Sequence, residues 1–115
     1  MTDLTKKRCV SCEVGAKPLN AEQVRELLTS VPDWKLAGDG TRIRREWRVR
    51  DFLTALDFFQ RIAQIAETED HHPDLHVVGY RNVAIEIWTH AVGGLTENDF
   101  ILAAKIDQLP VELKT

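Results

Sequence analysis

The order of amphipathic segments predicts an α+β fold, a four-stranded antiparallel sheet with three helices on one face. Three observations carry that expectation. Stretches with helical apolar spacing stand at 20–31, 51–69 and 95–109. Between them lie two pairs of strand-like stretches, at 34–49 and 75–90. Each pair is joined by only a few turn-forming residues, and short turns join antiparallel neighbours. The order is α-β-β-α-β-β-α, so each amphipathic helix has a sheet face to cover.

Residues 1–18 read as an extended, loosely ordered arm that ends at Pro18, and residues 19–115 as a single domain. The first helix starts at Asn20, a good N-cap, with Gln23 at the capping-box position. Val24, Leu27, Leu28 and Val31 share one face, and Pro32 stops the helix. The hairpin that follows turns at Gly38-Asp39-Gly40. Ile43, Trp47 and Val49 fall on one side of its second strand, although Arg45 breaks the alternation. The second helix has Asp51 as its N-cap, and its expected buried stripe is Phe52, Leu56, Phe59, Ile62, Ala63 and Ala66. The stretch 82–90, NVAIEIWTH, is a strand by its β-branched content. The last helix takes Thr96 as N-cap, with Asp99 at the offset of a capping box, and Pro110 follows it. The sheet's edges need blunting or pairing, so the chain is expected to form homo-oligomers.

The composition bounds the function. A chain of 115 residues with 43% apolar and 29% charged residues suits one soluble domain with one core. Its net charge of −3 gives no basic excess to attract nucleic acid or anionic lipid. No stretch approaches the ~20 apolar residues of a membrane span. The N-terminus lacks the apolar run of a secretory signal, so a cytoplasmic location is expected. The two cysteines form one CxxC, Cys9 to Cys12. Half a zinc site, a redox pair or two reduced thiols all fit that spacing. No second CxxC and no nearby histidine complete a metal site, which favours reduced thiols.

The stretch DHHPDLH, 70–76, holds three of the chain's four histidines. Pro73 biases His72 away from helical angles, so the pair His71 and His72 sits where a helix ends. Pro73 also argues against a helical ligand pair of His72 and His76, although a metal gathered by His71, His72, His90 and a carboxylate stays open. Acid–base work is the second reading. Imidazole exchanges protons near neutral pH, and strand ends and helix starts, here His90 and Asp99, can converge at one sheet rim. The bland reading is that the histidines cap a helix and Asp99 completes a capping motif. His76 reads as a strand surface residue.

The words DHHPDL, Y-x-x-V and WTH-x-x-GGLTENDFILAAKID together resemble the pterin-4a-carbinolamine dehydratase family. The N-terminal C-x-x-C, PLN-x-E and VPDW are similar to its bacterial members, and the likeness runs over almost the whole chain. The resemblance implies the same four-stranded sheet with three helices, assembled as dimers or tetramers. It implies dehydration of 4a-hydroxytetrahydropterins to quinonoid dihydropterins, with no metal and no cofactor. By resemblance His71, His72 and His90 are the active-site histidines and Asp99 the active-site aspartate. Trp34, Glu67 and Thr89 match positions that border the pterin pocket in relatives. His72 and His90 would be the proton-transfer pair, His71 a contact to the substrate hydroxyl, and Asp99 the group that orients a histidine.

Two features qualify that implication. The spacing from His72 to His90 is one residue longer than is usual in the family, and the extra residue is expected as a β-bulge near Gly79. The wording from HPDLHVVGY onward is also similar to a dehydratase-like branch linked to Rubisco assembly in chloroplasts and α-carboxysome bacteria. That branch implies an assembly factor with little pterin turnover and the Rubisco large subunit as partner. Its contact surface would be the strand of Arg44, Arg45 and Arg48, or the CVSC arm; charge that protects a solvated sheet face is the plainer account of the arginines.

Overall fold

The computed structural model describes residues 3–10 and 17–115. Its elements run α1 (Ala21–Leu28), β1 (Lys35–Ala37), β2 (Arg42–Arg48), α2 (Phe52–Glu69), β3 (Asp74–Val78), β4 (Asn82–Ile87) and α3 (Glu97–Asp107). The strands make one antiparallel sheet in the order β1-β2-β4-β3. The register pairs Ile43 with Ile87, Arg45 with Ile85 and Trp47 with Val83. These residues face the helices, and all but Arg45 are buried in one core with Phe58, Ile62 and Phe100. The expected α+β architecture of three helices over a four-stranded antiparallel sheet is therefore present.

The local signals act where they stand. Asn20 accepts from the Gln23 N–H at 2.8 Å and Gln23 answers onto the Asn20 N–H at 3.0 Å, closing the capping box of α1. Asp51 accepts from the Thr54 N–H at 2.9 Å and starts α2. The first hairpin turns through Gly38, Asp39 and Gly40, all at positive φ of 57°, 55° and 89°. Two glycines and a short polar residue are the side chains that accept such angles at low cost.

Arg45 breaks the inward alternation of β2 and is accommodated at the sheet's margin. Its guanidinium lies 4.5 Å from the centroid of the Trp47 ring and 2.6 Å from Asp107 Oδ1. The apolar stem covers the core while the charge meets a ring face and a carboxylate. Asp107 also accepts from the Trp34 indole N–H at 2.9 Å. Burial pushes the Asp107 carboxyl above its ordinary value, although both of these donors pull it down.

Three expectations need correction. The stripe of α2 is rotated: Ala55, Phe58, Ile62, Ala66 and Glu69 are its buried residues, whereas Phe52 and Leu56 are exposed, as is Ala63. Two apolar stripes were available on this helix. The one that buries contains the small residues Ala55 and Ala66, and it brings Glu69 onto Lys105 of α3. No bulge interrupts β3, which pairs without a break from Asp74↔Glu86 to Val78↔Asn82. The turn follows directly, where Gly79 and Tyr80 both take left-handed angles. The strand alternation is thus preserved, and His76 faces outward as expected.

The N-terminal arm is the third. Leu4–Lys6 form a single 3-10 turn capped by Asp3, and Leu4 is buried in the core. The contrast between the two stripes of α2 is measurable. Phe58→Ala should destabilise the protein by about 3–5 kcal/mol, as a fully buried aromatic. Phe52→Ala should lower it by about 1 kcal/mol or less. Urea unfolding of both variants checks this, and equal losses would contradict the observed rotation.

Candidate active site

The site begins at the end of α2. Asp70 takes a left-handed conformation at φ 52° and ψ 43°, and its N–H closes onto the Ala66 carbonyl. The His71 N–H reaches the same carbonyl at 3.1 Å. This close turns the chain away from the helix axis, and Pro73 prevents any return to it. His71 and His72 thereby stand at the start of the connection into β3.

His71 meets a carboxylate from another helix. Its Nε2 lies 2.6 Å from Asp99 Oδ1. Asp99 is fully buried, at 0% exposure, so each of its oxygens must be satisfied from within. Asp99 Oδ2 accepts from the Thr96 N–H at 2.9 Å and from the Thr89 hydroxyl at 2.9 Å. The Thr89 and Thr96 hydroxyls are themselves 2.8 Å apart. Asp99 therefore performs both roles that its sequence position offers: it closes the first turn of α3 and holds a histidine. Thr89 is fixed in turn by its N–H to the Gly94 carbonyl at 2.9 Å, across the loop that carries His90.

The other histidines have looser partners. His72 Nε2 is 2.5 Å from Glu67 Oε2, an exposed pair. His90 is exposed and stacks on Trp88, with ring centroids 4.0 Å apart and planes at 29°. All three histidines line one cavity of about 570 Å³, together with Thr89 and Trp88. The Trp88 indole nitrogen is buried without a hydrogen-bond partner among the described residues.

Of the residues singled out from sequence, His71, His72, His90 and Thr89 line this cavity, and Asp99 stands directly behind His71. Glu67 is outside the lining and touches it only through His72. Trp34 is not brought to the cavity. It is a core residue, 2% exposed, set edge-on to Trp47 at 5.9 Å with its N–H committed to Asp107.

Sequence reading missed Glu69, Asn98, Cys9 and Val10, which form another part of the wall. Glu69 is buried, and accepts from the Cys9 N–H and from Lys105 Nζ, each at 2.8 Å. A charged residue seven places after Ile62 on the buried stripe was the available signal. Burial pushes the Glu69 carboxyl up, but bonds from Lys105 and the Cys9 N–H hold it below its ordinary 4.5. The Cys9 thiol is pushed from 9.0 to about 12, first by burial and then by the Glu69 charge. Such a thiol is protonated at neutral pH and is no nucleophile. Cys12, the other half of the CxxC, lies outside the described residues.

Fold and cavity define a class of small α+β domain in which three histidines share one rim, one of them held by a buried carboxylate. A family model described as pterin 4 alpha carbinolamine dehydratase matches residues 17–109. The chain belongs to this family. It is 57% identical, over 97% of its length, to "Pterin-4-alpha-carbinolamine dehydratase 2, mitochondrial" of Arabidopsis thaliana, and covers 62% of that protein. A relative from Halorhodospira halophila that carries the family's name is 46% identical over 92% of this chain and 96% of its own. Among solved structures, the transcriptional coactivator/pterin dehydratase from Brucella melitensis superposes with a TM-score of 0.73. It is 31% identical and covers 79% of this chain and 96% of its own.

The Glu69 cluster predicts a pH dependence. Its folded value lies below the unfolded one, so its stabilisation is fully present above about pH 4.5 and is lost as pH falls through the folded value. The stability gap between wild type and Glu69→Gln should be widest near neutral pH and narrow as the pH falls below about 4.5. Urea unfolding across that range checks it; a gap that does not change with pH would contradict the assignment.

Proposed function

We propose that the protein dehydrates 4a-hydroxytetrahydropterins to quinonoid dihydropterins by histidine acid–base catalysis. The observation that carries this reading is the buried Asp99–His71 pair, set in one cavity with His72 and His90. Family membership over residues 17–109 supports the same chemistry. The reaction breaks the C4a–O bond, releases the oxygen as water and removes the proton from N5. One group must protonate the departing hydroxyl and another must accept the N5 proton. Two histidines at one rim supply both without a charged intermediate leaving the site.

In this reading His72 and His90 exchange the protons, and His71 contacts the 4a-hydroxyl. Asp99 accepts from His71 Nε2, which leaves Nδ1 as the acceptor of the neutral ring. Thr89 keeps Asp99 in place. Glu67 acts on His72 alone, as a partner that fixes its ring. Exposed His72 and His90 give the released protons a path to solvent. Self-association belongs to the same proposal. Edge strands β1 and β3 and the exposed Phe52, Leu53 and Leu56 supply surface for it.

The alternative is a Rubisco assembly factor acting in the cytoplasm, a carboxysome or a plastid. The arginine strand gives it little support. Arg44 is paired with Glu46 and Glu86, and Arg45 with Asp107 and Asp33. For location, no helix among the described residues is long and apolar enough to cross a membrane.

The experiment is dehydration of chemically generated 4a-hydroxytetrahydrobiopterin, with sedimentation of the same samples. Wild type should sediment as an oligomer and exceed the uncatalysed rate. His72→Ala and His90→Ala should each lose about 10²–10⁴-fold, the range for a positioned acid or base. Asp99→Asn should fall by about tenfold or more. A folded wild type without turnover would reject the reading. Raised soluble Rubisco yield from such a protein would favour assembly instead.

A further inference from the structure

The N-terminal arm forms part of the cavity wall, and the site's own frame holds it there. Cys9 and Val10 line the cavity with the three histidines. The Cys9 N–H donates to Glu69 Oε1 at 2.8 Å. The Val10 N–H donates to Asn98 Oδ1 at 3.0 Å, and Asn98 Nδ2 returns to the Val10 carbonyl at 2.6 Å. Glu69 precedes His71 by two residues, and Asn98 precedes Asp99 by one. The two side chains that hold the arm therefore belong to the same helix ends that position the Asp99–His71 pair. Leu4 anchors the arm upstream in the core, and Lys7 adds an exposed ion pair to Glu97 at 3.0 Å.

These three bonds end on main-chain atoms of residues 9 and 10 and so fix the backbone, while the Cys9 thiol lies 3.6 Å from the Asn98 carbonyl. Val10 is 70% exposed although it lines the cavity. An aliphatic side chain exchanges no proton; at this place it can contribute only shape and apolar contact. In a pterin the substituent that distinguishes one substrate from another is on C6, which is bonded to the reacting N5. That substituent must leave the reacting centre past a wall.

We propose that the Cys9–Val10 segment, pinned by Glu69 and Asn98, is the wall that selects the C6 substituent, with Val10 as the specificity-determining residue. This rests on the dehydratase reading. The test compares kcat/KM for the 4a-hydroxy forms of tetrahydrobiopterin and 6-methyltetrahydropterin in full-length wild type, Val10→Ala and Val10→Ile. The preference for the longer side chain should fall about ten- to fifteen-fold in Val10→Ala, the order expected for two lost methyl groups. Val10→Ile should retain or raise it. Asn98→Ala, which releases the arm, should lower it as Val10→Ala does, provided its melting curve shows it folded. An unchanged ratio in Val10→Ala, in protein that turns over both substrates, overturns the wall assignment. If wild type turns over neither, the dehydratase reading fails, and the arm is judged on binding of biopterin against 6-methylpterin by fluorescence quenching. A binding ratio altered by Val10→Ala upholds the wall; an equal ratio, or no binding, overturns it.

Discussion

The buried carboxylate of Asp99 is the constraint on which the site depends. A fully buried carboxylate is tolerated only when its oxygens are hydrogen-bonded. Here the donors come from three separate places in the chain: the start of α3, the second residue beyond β4 and the residue after the close of α2. Any displacement of one segment leaves a buried charge short of a partner. The need to satisfy Asp99 therefore locks the helix cap, the strand end and the histidine turn into one geometry. The cavity is the consequence, since two of these segments, the histidine turn and the chain beyond β4, also carry His71, His72 and His90 around it.

Glu69 repeats the device one layer away. It too is a carboxylate on an apolar stripe, and it ties the last turn of α2 to Lys105 of α3 and to the arm at Cys9. Two buried carboxylates thus couple the same pair of helices. They also set the local chemistry in opposite senses. Asp99 faces an imidazole that can share a proton, whereas the charge of Glu69 helps to keep the Cys9 thiol protonated. The thiol is thereby removed from competition with the histidines as a reactive group.

Much of this was legible in the sequence because the relevant signals are local. Asn20 and Gln23, Asp51, the Gly-Asp-Gly turn and Pro73 each act within a few residues, and each element formed where they pointed. The convergence of His71, His90 and Asp99 followed from sheet-rim logic together with the family motifs. What could not be read depends on contacts distant in sequence. The burying stripe of α2 was ambiguous because Phe52 and Phe58 offered rival faces, and only packing against α3 and the sheet decides between them. Arg45 looked misplaced until its partners Trp47 and Asp107, the latter 62 residues away, were in view. The arm had no periodicity to declare that Leu4 was an anchor. Trp34 carried the appearance of a pocket residue, and its indole is instead held in the core by Asp107.

The central claim is that Asp99 accepts a proton-bearing Nε2 from His71 and so sets which ring nitrogen faces the reaction. The most direct measurement is a long-range ¹H–¹⁵N correlation spectrum of ¹⁵N-labelled protein near neutral pH, with Asp99→Ala for comparison. The account predicts that His71 carries its proton on Nε2 in the wild type and loses that preference when Asp99 is replaced. A bare Nε2 in the wild type, or an imidazole pattern for His71 that is the same in both proteins, would contradict it.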